Sequence, residues 1–171
     1  IDLLILLPAP PVAPIVRKLE SLIGILWDIG LEVGHAVRTI DECVELAAAD
    51  LTVQTTLLEA RLLVGNQPLF ARFAKRIHDT RDAAEFFQAK LLEQQQRHAR
   101  YAESNLEPNI KESAGGLRDL HNIVWIAQAA GLGTSWRELA RRGLIVLAEA
   151  REIQRHENLL QLLRKIGRAH V

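Results

Sequence analysis

The sequence has few of the residues that mark several common protein classes. It contains one cysteine, Cys43, and no methionine among 171 residues. A single cysteine cannot form an internal disulfide, and no Cys/His array has zinc-site spacing, so we expect a reducing compartment, the cytoplasm. Lys+Arg and Asp+Glu are both 21, and a net charge near zero argues against a nucleic-acid-binding arm or a polybasic membrane-surface protein.

Long hydrophobic runs are also missing. The apolar opening, residues 1–7, is interrupted by Asp2 and closed by Pro8, far short of the roughly 20 residues of a membrane span. It lacks the basic start of a signal peptide. What remains, 49% hydrophobic and 25% charged residues, is typical of a folded soluble protein. Because there is no methionine and the chain begins inside a predicted strand, we expect a fragment.

Hydrophobic periodicity predicts strand, helix, strand and then only helices. Residues 1–7 predict a buried strand, 15–28 an amphipathic helix and 31–38, which alternate, a second strand. A Thr-x-x-Glu capping box at Thr39 predicts a helix over 40–49. Further helices are predicted at about 50–65, from Pro68, at 80–101, at 117–130, from Ser135 and at 146–164. The predicted fold class is α+β and mostly α.

Two carboxylates, Asp2 and Glu32, lie in these otherwise apolar strands. Burying an ionised carboxylate without a partner is costly, so Asp2 should lie at a strand end, either facing a cation or a helix N-terminus, or simply capping a turn. Carboxylates from neighbouring strands can converge on Mg²⁺. A glutamate on the polar face of a half-buried strand is also common, so both interpretations stay open.

The segment 105–121, NLEPNIKESAGGLRDLH, carries the densest signal in the chain. Gly115 and Gly116 permit a tight turn or a close approach of the backbone to a ligand. The helix predicted to begin near Leu117 would offer unpaired N–H groups to an anion.

The same segment is rich in charge. Lys111 and Arg118 could contact a phosphate or carboxylate, and Arg118 could do so with two hydrogen bonds. The alternative is a glycine-rich elbow in which Arg118 and Asp119 pair with local charges such as Glu107 or Glu112.

The tryptophans and the cysteine have simpler interpretations. Trp27, Trp125 and Trp136 lie on apolar helical faces and are predicted to belong to the core. Cys43 is predicted to be a small buried hydrophobe, because no base stands at a suggestive spacing.

Four segments together resemble one family: residues 1–7, IDLLILL; 27–39, WDIGLEVGHAVRT; 50–63 with DLTVQT and LEARLL; and 105–119 with NLEPNIKE and GGLRD. They are similar to the bacterial PII-protein uridylyltransferase/uridylyl-removing enzymes. The resemblance implies a polymerase-β-type nucleotidyltransferase domain that transfers UMP from UTP to a tyrosine of the PII signalling protein, followed by a helical domain. In that family a hydrolase domain and two glutamine-sensing domains lie downstream.

The resemblance also implies roles for individual residues. Asp2 matches the second aspartate of the family's Asp-x-Asp strand, and Glu32 resembles its third carboxylate, so both are expected to be catalytic and to bind Mg²⁺. The first aspartate and the Gly-Ser loop would precede residue 1, so the fragment is expected to be inactive alone. Contacts to nucleotide phosphates or to PII are expected from Lys111, Gly115, Gly116 and Arg118.

The implied domains are 1–66, the C-terminal part of a polymerase-β-like nucleotidyltransferase sheet, and 67–171, an incomplete helical bundle. Residues 165–171 depart from the family pattern and are expected to be a non-native tail. Two alternatives stay open: a glutamine-synthetase adenylyltransferase, which has a similar Gly-Gly helix start, and a non-catalytic helical interaction module. The segments 33–39 and 105–112 favour the PII enzyme, and upstream sequence would separate the transferase from the inactive module.

Overall fold

The structure, a computed structural model, describes residues 2–102 and 109–169, except for the side chains of residues 102 and 167–169. The chain folds into two compact units, residues 1–80 and 81–171. Helices dominate both, and the described strands form one small sheet in the first unit, in agreement with the predicted α+β class. Among the described helices none combines the length and apolarity needed to cross a membrane.

The first unit is a two-stranded parallel sheet with four helices: β1 (Asp2–Leu7), α1 (Ala13–Asp28), β2 (Gly34–Thr39), α2 (Ile40–Ala49), α3 (Leu51–Leu58) and α4 (Gln67–Asp79). The register pairs Asp2 with Gly34 and ends with Leu7 opposite Thr39. Helix α1 provides the crossover that parallel strands require. Two strands do not establish a polymerase-β-like sheet, which stays a prediction.

Capping residues begin the helices where the sequence predicts. The Thr39 hydroxyl accepts a hydrogen bond from Glu42 N–H at 3.3 Å, while Glu42 Oε2 accepts from Thr39 N–H at 2.7 Å. This reciprocal pair confirms the capping box. Asp50 caps α3 by accepting from Thr52 N–H at 2.6 Å. Pro68 lies in the first turn of α4, where its missing N–H costs nothing.

Three predicted boundaries are wrong. Strand β2 begins at Gly34, not Leu31, because the first pair of the ladder is Asp2 with Gly34 and residues 31–33 have no described partner in it. Helix α3 ends at Leu58 rather than near 65, since the N–H of Glu59 already turns back to the carbonyl three residues earlier. Helix α8 (Leu147–Ala169) runs five residues past the predicted end at 164.

The core of the first unit lies where α2, α3 and α4 meet. Its buried members are Cys43, Ala47, Leu57, Phe73 and Ile77. Cys43 is fully buried, which confirms its prediction as a small hydrophobe, and burial raises the pKa of its thiol. Because Phe73 and Ile77 belong to α4, the compact unit extends to residue 80, whereas the predicted domain boundary follows residue 66.

The second unit is helical: α5 (Ala83–Ala102), α6 (Leu117–Ala129), α7 (Trp136–Arg141) and α8. Its α6–α7–α8 core contains Ala127, Trp136, Leu139 and Ala150. Ser135 caps α7, as predicted. Of the loop predicted over 102–116, residues 103–108 lie outside the described part and 109–116 form turns.

The three tryptophans divide between core and surface. Trp125 and Trp136 are each 4% exposed, which confirms that they are core residues. Trp27 is 56% exposed, so its predicted burial is wrong. It lies at the end of α1, where its indole N–H donates to the Val33 carbonyl at 3.3 Å and its ring meets that of His35 edge-on, with centroids 6.0 Å apart.

Candidate functional site

The two predicted metal ligands, Asp2 and Glu32, lie at the same end of the two parallel strands. Asp2 is the first residue of β1 and is paired in register with Gly34, the first residue of β2. Glu32 precedes Gly34 by two residues, and since the strands are parallel, both acidic residues lie at their N-terminal edge. The Asp2 side chain is exposed rather than buried among hydrophobes.

The placement of Glu32 on a strand is wrong. It lies in the irregular segment 31–33 before β2 and is exposed. The hydrogen bond from Trp27 to the neighbouring carbonyl of Val33 anchors that segment to the end of α1. The alternation of apolar and polar residues over 31–38 predicted a longer strand. That pattern reports which side chains share a face and does not show where the ladder hydrogen bonds begin.

The donor chemistry at this edge suits magnesium. Carboxylate oxygens are the ligands that Mg²⁺ prefers, and one or two carboxylates with substrate phosphates are its usual protein environment. Among the described residues no group of three or more acidic, histidine or cysteine side chains could hold a metal ion. The assignment of Asp2 and Glu32 as a two-carboxylate magnesium site stays a prediction.

The second predicted site, around residues 109–119, is a closed turn at the start of α6. Leu117 N–H donates to the Ile110 carbonyl at 3.0 Å, and Arg118 N–H donates to the Lys111 carbonyl at 2.9 Å. These N–H groups were expected to be unpaired and available to an anion. That expectation is wrong, because the preceding turn folds its own carbonyls onto the helix N-terminus.

Gly115 and Gly116 make this turn possible in different ways. Gly115 has φ of +76°, a conformation that glycine adopts at no steric cost. A Cβ on Gly116 would stand 2.7 Å from the Ile110 carbonyl oxygen and 2.8 Å from that of Ser113. Of the two roles predicted for this pair, the structure shows the tight turn into α6, and the approach of the backbone to a ligand stays a prediction.

The buried side chain at the centre of this region, Arg97 on α5, was missed by sequence reasoning. It is 3% exposed and donates from Nη2 to Asp119 Oδ1, while its Nε donates to the Glu112 carbonyl at 3.2 Å. His98 Nε2 lies 2.9 Å from Asp119 Oδ2. The available signal was spacing, since Arg97 shares a helical face of α5 with the buried Phe86 and Lys90.

Asp119 is ionised in this setting. Burial opposes its ionisation, but the hydrogen bond from Gly115 N–H at 2.8 Å and the contacts with His98 and Arg97 outweigh burial. Together they hold the pKa of Asp119 below its ordinary value.

Glu112 forms ion pairs with two other cations of this region, Lys111 and Arg118. Its Oε1 lies 2.8 Å from Lys111 Nζ and 3.5 Å from Arg118 Nη2. Burial is again outweighed, so the pKa of Glu112 lies below its ordinary value. Arg118 therefore pairs locally with Glu112, as the alternative predicted. Asp119 instead pairs with Arg97 and His98 of α5. Pairing with Glu107 concerns a residue outside the described part.

Trp125 lies beside two cations of the same region. The Arg118 guanidinium carbon is 5.3 Å from the centre of the Trp125 ring, and Lys90 Nζ is 4.7 Å from it. Both distances suit cation–π attraction. Lys90 is 2% exposed, and burial lowers its pKa despite the contact with Glu93 at 2.6 Å.

These contacts define the α5–α6 charge cluster: Arg97, His98, Glu112, Arg118 and Asp119. It fixes the turn at 109–116 to both helices by opposite charges and backbone hydrogen bonds. Arg118 keeps 27% of its side chain exposed, so a ligand could still reach its guanidinium. The roles predicted for Lys111, Gly115, Gly116 and Arg118 in binding nucleotide or PII stay predictions.

Comparison with known proteins gives one consistent result. The family model described as GlnD PII-uridylyltransferase matches residues 85–166. The bifunctional uridylyltransferase/uridylyl-removing enzymes of Burkholderia mallei (strain SAVP1), Burkholderia pseudomallei (strain 668) and Burkholderia thailandensis are each 54% identical over 173 aligned residues. The alignments include 100% of this chain. The chain belongs to this family. No solved structure gives a significant match.

The uridylyltransferase family is much longer than this chain, which spans 20% of the length of each of these relatives. The GlnD PII-uridylyltransferase match contains the whole α5–α6 charge cluster. Asp2 and Glu32 precede that match but lie within the alignment to the relatives. Both candidate regions thus belong to the part shared with the uridylyltransferases.

Proposed function

We propose that this chain is part of a cytoplasmic enzyme that transfers UMP from UTP to a tyrosine of a PII signalling protein. The observation that carries the proposal is 54% identity along the entire chain to enzymes named for uridylyl transfer and removal. The same identity favours this function over the adenylyltransferase and over a non-catalytic interaction module. The cytoplasmic location rests on the sequence, whose single cysteine, Cys43, has no second cysteine to form an internal disulfide with.

In this proposal Asp2 and Glu32 hold Mg²⁺ at the N-terminal edge of the sheet. Bound there, the ion would neutralise charge developing on the nucleoside triphosphate. Asp2 suits the role because it is exposed and its backbone is fixed by the ladder opposite Gly34. Glu32 suits it because the Trp27–Val33 hydrogen bond anchors its segment.

The second unit has a supporting role in this proposal. Arg118 and Lys111 contact the phosphates of UTP or acidic groups of PII, and the α5–α6 charge cluster fixes their backbone. The chain alone does not catalyse, because two carboxylates are one fewer than the polymerase-β pattern requires.

A chimeric enzyme tests the proposal. The aligned segment of the Burkholderia mallei enzyme is replaced by this chain, and transfer of radiolabelled UMP to purified PII protein is measured. The chimera is expected to label PII, whereas the 171-residue chain alone is expected to leave it unlabelled. A folded chimera without transfer activity would contradict the proposed function.

A further inference from the structure

A cavity of about 320 Å³ lies in the second unit, at the turn between α6 and α7. It is separate from the α5–α6 charge cluster and shares no residue with it. Its walls include Gly131, Gly133, Thr134, Glu138, Arg141 and Arg142.

The wall formed by the turn is fixed by close packing. Gly133 has φ of +136°, and a Cβ there would stand 2.8 Å from the Cβ of Glu138. Glu138 Oε2 accepts hydrogen bonds from Thr134 N–H at 2.6 Å and from Thr134 Oγ1 at 3.0 Å. These bonds hold the pKa of Glu138 below its ordinary value, so it stays ionised and bound to the turn.

Two arginines at the end of α7 also line the cavity. Arg141 and Arg142 are exposed, and their positive charges also help to lower the pKa of Glu138. Glu138 is the acidic side chain of the lining, and one of its two oxygens is already taken by Thr134. The cavity therefore has two guanidinium groups against one partly satisfied carboxylate, a net positive charge.

We propose that this cavity binds a phosphoryl group, held by Arg141 and Arg142. A guanidinium offers a planar pair of donors that matches two oxygens of a phosphate, and two such groups can bind one phosphoryl group together. Gly131 and Gly133 carry no side chain that would block the approach from the turn. The inference is independent of the proposed function, because it uses no residue assigned to uridylyl transfer.

Titration of the ¹⁵N-labelled 171-residue chain tests this site. Inorganic phosphate and UMP are added in separate series at constant ionic strength, and the amide resonances of Gly131 and Gly133 are followed. We expect saturable shifts with a dissociation constant on the order of 1 mM. The double variant Arg141→Gln/Arg142→Gln is expected to bind at least about tenfold more weakly. Arg137→Gln, exposed on the same helix but outside the cavity, is the matched control.

The two series separate the sources of the phosphoryl group. Equal dissociation constants for phosphate and UMP support a site for the phosphoryl group alone. A lower dissociation constant for UMP supports a nucleotide as the source of the phosphoryl group. Shifts that fail to saturate in both series would overturn the proposal. So would equal affinity in the double variant and the Arg137→Gln control.

Discussion

Arg97 of α5 donates from Nη2 to Asp119 Oδ1 in the first turn of α6, so one buried ion pair joins the two helices across the turn at 109–116. Each partner has a second contact to the turn: Arg97 to the Glu112 carbonyl and Asp119 to Gly115 N–H. The pair therefore holds both the helices and the segment between them.

Arg97→Ala is expected to destabilise the second unit by about 1–3 kcal/mol, because it removes a buried cation from Asp119 and leaves only the contacts with His98 and Gly115 N–H. Urea unfolding followed by the fluorescence of the buried Trp125 and Trp136 measures this change. Arg155→Ala is the control, since its pair with Glu152 at 3.8 Å is exposed and should contribute little. Similar effects of the two variants would contradict a structural role for Arg97.

Stability of the second unit is expected to depend on pH through Asp119. The folded pKa lies below the ordinary value of 3.8, so the carboxylate contributes stability above that pH and loses it as pH falls through the folded pKa. The free-energy difference between the wild type and Asp119→Asn should therefore narrow below about pH 4. Urea unfolding of both proteins from pH 7 to pH 3 checks this, and a constant difference would refute it.

Gly116→Ala is expected to cost about 1–3 kcal/mol of unfolding free energy or more, because the new Cβ would overlap backbone carbonyls that cannot move aside. Gly24→Ala is the control: it lies inside α1 with no atom within 4 Å of an added Cβ. That change should stabilise by up to about 1 kcal/mol. A tolerated Gly116→Ala would show that the turn at 109–116 is more open than described.

Local sequence signals predicted most of the fold. The Thr39 capping box, the Asp50 cap and the Ser135 cap each act within a few residues, so pattern alone identifies them. The start of β2 and the exposure of Trp27 were mispredicted because they depend on contacts made elsewhere in the fold. The partner strand sets where a β-ladder begins, so the alternation of side chains within one strand does not reveal its first residue.

The same limit applies to the site. Gly115 and Gly116 were recognisable as a special turn, and Lys111 and Arg118 as nearby charge, because they lie together in the sequence. The partner of Asp119, Arg97, lies 22 residues earlier, on a different helix. Pairing over that distance is decided by helix packing, so Arg97 could not be chosen from many similar charges.

Arg118→Ala in the chimeric enzyme is expected to raise the KM for UTP or for PII, since the partly exposed guanidinium is proposed to contact one of them. Steady-state kinetics with each substrate varied in turn measures this, and the melting temperature reports any loss of its contacts with Glu112 and Trp125. Arg137→Ala is the control for a lost positive charge in the same unit. Unchanged kinetics in Arg118→Ala would restrict that residue to a structural role.

The most direct test of the account is an Asp2→Asn change in the chimeric enzyme, assayed for transfer of UMP from UTP to PII. The account predicts loss of transfer with unchanged folding, because Asp2 is exposed and its proposed work is to hold Mg²⁺. Asp41→Asn, exposed at the opposite end of β2 in the first turn of α2, should keep full activity. Full transfer activity in Asp2→Asn would contradict the assignment of this sheet edge as the metal site.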